Sequence, residues 1–391
     1  YFYLRAFSLL GTNGRFGLLA TKSIAETGSR VVCLDQIIGM GGIIYRGCSR
    51  MVWPGNAAVV VSIAWVARNG WQGLKVLDNR TVSAINGALE EDFQIKRPLK
   101  LKALKGKFSQ GQDIMGRGFE LTAEERAEML AADPSCAEVI FPLFNGQDLN
   151  TMPKLEPYRW VIYFRDWPEA KARQYGAAFR RVEELVKPYR DALTGQIHQN
   201  CFWKLWDLRP ALMREVSAHE TLLASATVTK YVIFRKIPTS NIYNKKTRIY
   251  FLRSWSEFAI LQSSQQQEWA FWTFGTLGAS TLNYSTSFAL ETWPMPTLDG
   301  AEELEILGER YHLHRESLMA DAVIGLTQLY NRFHDPLDDD SRVMALRGLH
   351  REVDLLVAHA YGWDDLNLGH GFHEVPYLPV TDNIRFTISE T

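Results

Sequence analysis

The stretch AAVVVSIAWVA, Ala57 to Ala67, constrains the fold of this chain more than any other. It is the longest apolar run present, and a membrane-crossing helix needs about twice its length. Val59, Val60, Val61 and Ile63 are β-branched, which favours a pleated strand over a helix. Continuous apolarity, in place of alternation, means burial on both faces. VWPG, Val52 to Gly55, supplies the turn leading in. The run therefore predicts a central strand of an α/β sheet.

The residues before it fit that sheet. Phe2, Leu4, Phe7 and Leu10 have helical spacing, and the cluster Gly11-Thr12-Asn13-Gly14 ends the helix. Phe16 to Ala20 reads as a short buried strand, followed by a helix from Ser23. Asp35 to Ile44 reads as another strand. Helix, strand, helix, strand, strand is the latter half of an open α/β sheet.

A second organising stretch is Lys107 to Leu121, KFSQGQDIMGRGFEL, bracketed by glycines at 106, 111, 116 and 118. No regular helix survives that density of glycine. Gln110, Gln112, Asp113 and Arg117 make it a loop rich in hydrogen-bonding side chains. Thr122 and Glu125 then form the capping-box pattern of a helix start. Further helices are expected at 123–132, 169–193, Phe258 to Trp272, Glu302 to Leu307, Leu313 to Tyr330 and Asp340 to Tyr361. Strands are expected at 159–164, 221–234 and 248–252, with a basic turn from Pro238 to Lys246.

The net charge of −1 conceals segregation. Residues 1–95 carry 9 Lys and Arg against 6 Asp and Glu, residues 96–270 carry 27 against 19, and residues 271–391 carry 7 against 19. A middle of net +8 between a weakly basic and an acidic end is the distribution a polyanion-binding region would have. Cys33, Cys48, Cys136 and Cys201 form no CxxC pair, so neither a zinc site nor a disulfide framework is indicated, and a reducing, cytoplasmic setting fits. The chain opens on Tyr1 inside a helical pattern and stops at Thr391 after a helix-start signal, so both ends read as cut.

Motif order then adds a resemblance. GRFGLLATKSI (Gly14 to Ile24), VWPGNAAVVVS (Val52 to Ser62) and KFSQGQDIMGRGFELTAEE come first. VIFPLFNGQDLN (Val139 to Asn150), RWVIYF with DWPEA, VKPYRD, TLNYSTSFALETWPMP (Thr281 to Pro296), and LYNRFHDP with LRGLHREVD and AYGW follow. In this order the chain resembles the MmeI-like type II restriction–modification DNA methyltransferases. The resemblance implies an adenine-N6 methyltransferase that uses S-adenosylmethionine and acts on double-stranded DNA. Residues 1–95 would be the latter half of a Rossmann-like methyltransferase sheet, 96–296 an α+β target-recognition domain, and 297–391 a mostly helical C-terminal domain. The family's glycine-rich cofactor loop and its Asn-Pro-Pro-aromatic motif are absent, and no Asn-Pro-Pro occurs anywhere in this sequence. Both would precede Tyr1, so this stretch by itself is not expected to methylate. The alternative is a non-catalytic DNA-specificity module, or a decayed remnant.

Methylating a base within a duplex requires flipping it against an aromatic or apolar wall, and Trp53 is the candidate here, with Arg50 nearby for a phosphate. Lys230, Arg235, Lys236, Lys245, Lys246 and Arg248 form the densest cationic cluster, suited to neutralising phosphates. Asn241 and Asn244 are residue types that pair with adenine, and they are also good turn formers. Gln110 and Gln112 make a second candidate set. Trp203, Trp206, Trp269 and Trp272 read as core. Asp166, Glu169 and Lys171 are too closely spaced around Pro168 for a nuclease site. The pairs His312/His314 and His370/His373 lack partner ligands, and Asp338 to Asp340 read as a helix cap and not a metal site.

Overall fold

The computed structural model describes residues 1–54, 59–91, 98–193, 200–274, 276–277, 281–283, 289–298, 300–375, 378 and 382–389. In it the apolar run becomes a central strand, as its composition requires; positions 57 and 58 lie outside the described residues. Five strands, β1 (Arg15–Thr21), β2 (Gly42–Val52), β3 (Val60–Arg68), β4 (Lys75–Leu77) and β5 (Arg80–Val82), make one sheet in the order β1-β3-β2-β4-β5. β3 is antiparallel to both β1 and β2, so those two run parallel to each other with a reversed strand between them. Val60, Val61, Ala64, Val66 and Ala67 are all buried, which accounts for the apolarity of β3, interrupted only by a buried Ser62 before Arg68 ends the strand. Opposite Trp65, β1 carries Gly17; a Cβ there would meet the indole at 2.5 Å.

The helix Phe2–Leu9 lays Tyr3 and Phe7 on this sheet, beside Leu34, Ile37 and Ile44. Each such fully buried side chain contributes roughly 1.5–3 kcal/mol. The strand expected over Asp35 to Ile44 is instead a helix, Leu34–Gly39, followed by the start of β2 at Gly42. Leu34 and Ile37 sit three apart on its buried face, and Gly41 takes φ +86° where the chain turns into the strand.

The chain divides into two compact units. Tyr1–Lys102, Gln266–Pro294 and His373–Arg385 form one; Ala103–Gln265, Met295–Phe372 and Phe386–Thr391 form the other. The second contains β6 (Phe108–Gln110), β7 (Glu120–Leu121), β8 (Ile140–Phe144), β9 (Trp160–Ile162), β10 (Thr221–Ala226), β11 (Val228–Thr229), β12 (Arg235–Pro238), β13 (Ile242–Tyr243) and β14 (Thr247–Tyr250). Two four-stranded sheets result, β12-β10-β14-β6 and β13-β8-β9-β7. The strand expected over 221–234 breaks after Ala226. Its tail, Tyr231 to Phe234, is buried off the ladder, where the Phe234 N–H donates to Gln262 Oε1 at 3.1 Å.

Helix starts follow the local chemistry. Thr122 and Glu125 close the expected capping box on Ala123–Ala132, and Asp340 caps Ser341–Ala360. Arg332, paired with Asp338 and Asp340, holds the Asp340 carboxyl well below its usual range. The helix expected from Phe258 to Trp272 is two, Trp255–Gln262 and Ser264–Phe274, because Ser263 takes an extended ψ of 154°. The pieces expected at 302–307 and 313–330 are divided elsewhere. Glu302–Ala322 runs unbroken through Gly308, whose missing Cβ lets the Trp255 carbonyl approach, and Leu326–Phe333 follows.

Candidate nucleic-acid interface

The glycine-rich loop is fastened to the basic turn. At Gly111 a Cβ would lie 2.3 Å from the Asn244 carbonyl oxygen and 2.4 Å from that of Tyr243, so only glycine passes. Gly111 N donates to Thr247 O at 3.0 Å and Gln112 N to Tyr243 O at 2.7 Å. Asn244 closes the turn from the other side: its Oδ1 accepts from Lys246 N at 2.9 Å. The close approach that Gly111 permits is thus to protein backbone, and Gly118 packs on Leu185 and Val186.

On this frame a polar cluster assembles. Gln110 and Arg248 are cross-strand partners on β6 and β14. Gln110 Nε2 donates to Lys245 O at 2.7 Å, and its Oε1 accepts from Arg209 Nη2 at 3.3 Å. Arg209 also pairs with Asp207 at 3.1 Å, Lys245 Nζ pairs with Asp113 at 3.1 Å, and Arg248 Nη1 reaches Lys245 O at 3.5 Å. Lys245 and Lys246 are exposed, and the Lys246 ammonium has no partner among the described residues. Lys245, Lys246, Arg209 and Arg248 against Asp113 and Asp207 leave this patch net positive. Burial, together with the neighbouring Arg209 charge, lowers the pKa of Arg248, although Tyr250 opposes it.

Other expected contact residues go elsewhere. Arg235 is buried: its guanidinium donates to Leu149 O, Met152 O and Pro153 O and pairs with Glu316 at 2.9 Å, so it does not reach a phosphate. Gln112 is buried too, with Nε2 on Met213 Sδ and Oε1 without a partner among the described residues. Lys236 lies 3.7 Å from the centroid of the Trp255 ring, and Lys230 reaches Asn331 Oδ1 at 3.2 Å. Asn241 is half-buried and donates to Tyr243 Oη at 3.4 Å. Trp53 and Arg50 are exposed in the first unit, Arg50 on β2 and Trp53 just past its end.

Two contributors were not singled out in the sequence. Arg209 sits before Pro210 at the start of the helix Pro210–Ala218, a pattern that reads only as a helix start. Arg190 is buried and donates to the carbonyls of Ile114, Met115, Cys201 and Lys204, fastening the loop beside Asp113.

Among the described residues no group of three or more His, Cys, Asp or Glu could hold a metal, and no helix is long and apolar enough to cross a membrane. Glu169 pairs with Arg173 and Lys171 lies over Trp167, so neither converges with Asp166. Trp203 is buried and Trp269 Nε1 donates to Thr292; the side chain of Trp272 lies outside those described.

Two four-stranded sheets carrying helices, a clamped glycine loop and a cationic turn define an α+β module. The chain belongs to the family described as MmeI, target recognition domain, whose model matches residues 101–297. Among solved structures it is similar to the type IIL restriction–modification enzyme MmeI in complex with DNA, with a TM-score of 0.73 and 17% identity, covering 94% of this chain and 49% of that one. The type IIG restriction endonuclease BpuSI matches at a TM-score of 0.35 and 8% identity, over 93% of this chain and 49% of that one. This chain therefore spans about half the length of either protein. No curated protein matches it.

Proposed function

We propose that this chain is the DNA-recognising part of a site-specific adenine-N6 DNA methyltransferase of a restriction–modification or phage-defence system. The observation that carries it is a coincidence of place: the matched region, 101–297, contains the turn from Asn244 to Arg248 and its cationic patch. Phosphate neutralisation supplies most of the affinity of such proteins for duplex DNA, and groups on the same surface read base edges. Lys245, Lys246 and Arg248 serve the first role; Gln110, Asn241 and Asn244 border the same turn.

The sheet in residues 1–95 supports the methyltransferase part. β1, β2 and β4 run one way with β3 and β5 reversed, a mixed sheet of the kind that doubly wound folds can carry. In this reading Trp53 and Arg50 stand at the catalytic side, residues 96–296 are the recognition domain and 297–391 the helical C-terminal domain. S-adenosylmethionine would supply the methyl group. Neither a glycine-rich cofactor loop nor Asn-Pro-Pro occurs here, so cofactor binding and transfer fall to residues outside this chain.

The test has two parts. Gel shifts of the chain on duplex DNA across a salt series should give a steep log–log slope, about 0.9 per phosphate neutralised; undetectable binding at low salt would end the DNA reading. An Asn-Pro-Pro-aromatic codon run in frame upstream of Tyr1 supports the enzyme, and its absence leaves a specificity module.

A further inference from the structure

Arg209 is held in a conformation that its residue type resists. Its backbone is left-handed, φ +46° and ψ 61°, in a chain where Gly would accept that geometry without cost. Its side chain does not point freely into water: Gln110 Oε1 and Asp207 Oδ2 hold the guanidinium, while its Nε is enclosed without a hydrogen-bond partner among the described residues. The Gln110 amide is itself oriented, because a flip would set its oxygen against the Lys245 carbonyl. Across the ladder from Gln110 stands Arg248, a second guanidinium whose one hydrogen bond among the described residues, to Lys245 O, is at the long limit of 3.5 Å. Arg209 on the Gln110 amide and Arg248 on the Lys245 carbonyl flank one hydrogen-bonded pair, like charges so placed repel, and Asp207 pairs with Arg209 alone.

Resting on the DNA-binding reading above, we propose that Arg209 and Arg248 form an anion site that holds one backbone phosphate of the duplex, with Gln110 as the residue that positions Arg209. An oxyanion between them removes the repulsion, and a guanidinium's planar fork matches phosphate oxygens. The assignment is to phosphate and not to a base edge. Arg209 is already tied by two groups and presents only the remainder of its fork, and charge repulsion is relieved by charge, not by a neutral purine.

The strain makes the assignment testable. Arg209→Gly removes the guanidinium yet suits the left-handed backbone, so the variant should melt no lower than the parent chain. Its binding to a panel of random-sequence duplexes should weaken by roughly tenfold on every duplex, with the log–log salt slope reduced by about one. Arg209→Lys should recover part of the affinity. Unchanged affinity and slope for Arg209→Gly would overturn the proposal, as would a changed sequence preference at an unchanged slope. A parent chain that binds no duplex at low salt would instead overturn the DNA-binding reading itself.

Discussion

Asp113 and Lys245 are joined at 3.1 Å across the contact between the glycine-rich loop and the basic turn, although 132 residues separate them. The pair takes one cation of the patch partly out of service. Half of the Lys245 side chain is exposed, so the link adds less than about 1 kcal/mol to stability. Asp113→Asn should therefore leave the melting temperature nearly unchanged. The same substitution frees Lys245 and removes a negative charge from the cationic patch. Binding at low salt should tighten by roughly two- to fivefold, with the gain shrinking as salt rises. Weaker binding would mean that Asp113 itself touches the nucleic acid.

Arg235 should behave in the opposite way. It is enclosed by three carbonyls and Glu316, and burial lowers its pKa against the pull of that carboxylate. Arg235→Ala takes the donor from those carbonyls and leaves Glu316 only its longer ion pair to Arg315 at 3.7 Å, at a cost of roughly 3–5 kcal/mol. Urea titration should show this as a lower midpoint. DNA affinity, measured where the variant is still folded, should match that of the parent chain.

The contrast between these two cations shows where the sequence is legible. Lys245 stands next to Asn244, whose side chain caps the turn within a few residues, and such short-range chemistry reads directly from the chain. The capping box at Thr122, the cap at Asp340 and the doubly buried β3 are local in the same sense. Arg235 is buried by carbonyls 82 and 83 residues away, and no pattern around Lys236 announces them. Arg209 acquires its role through Gln110, 99 residues upstream, and its left-handed backbone leaves no trace in residue type. Charge density located the patch. Which charges face outward depended on packing across the two sheets.

Gln112 illustrates the cost of a polar side chain placed by backbone needs. Its N–H is required by Tyr243 O, but its Oε1 is buried without a partner among the described residues. A cavity of about 20 Å³ lies beside it, lined by Leu212, Met213, Val216, Ile237 and Ile249. Gln112→Met keeps the backbone bond, follows the same volume and removes the orphan oxygen. Stability should rise by about 0.5–1.5 kcal/mol. A lower urea midpoint for the variant would show that the amide oxygen is satisfied in solution.

His312 should make stability depend on pH. It packs on the rings of Trp255 and Phe258, and burial, with Arg315 and Lys236 nearby, lowers its pKa from the ordinary 6.5 to about 3. Between those values the unfolded chain binds a proton that the folded chain does not. Stability from this residue is therefore complete above about pH 6.5 and lost progressively as pH falls toward 3, at up to about 1.36 kcal/mol per unit. His312→Phe keeps the ring in its aromatic contacts and removes the titration. Urea midpoints compared at about pH 7.5 and about pH 4.5 should fall less for the variant than for the parent chain. Equal falls would mean that His312 titrates at its ordinary value, with its ring open to water.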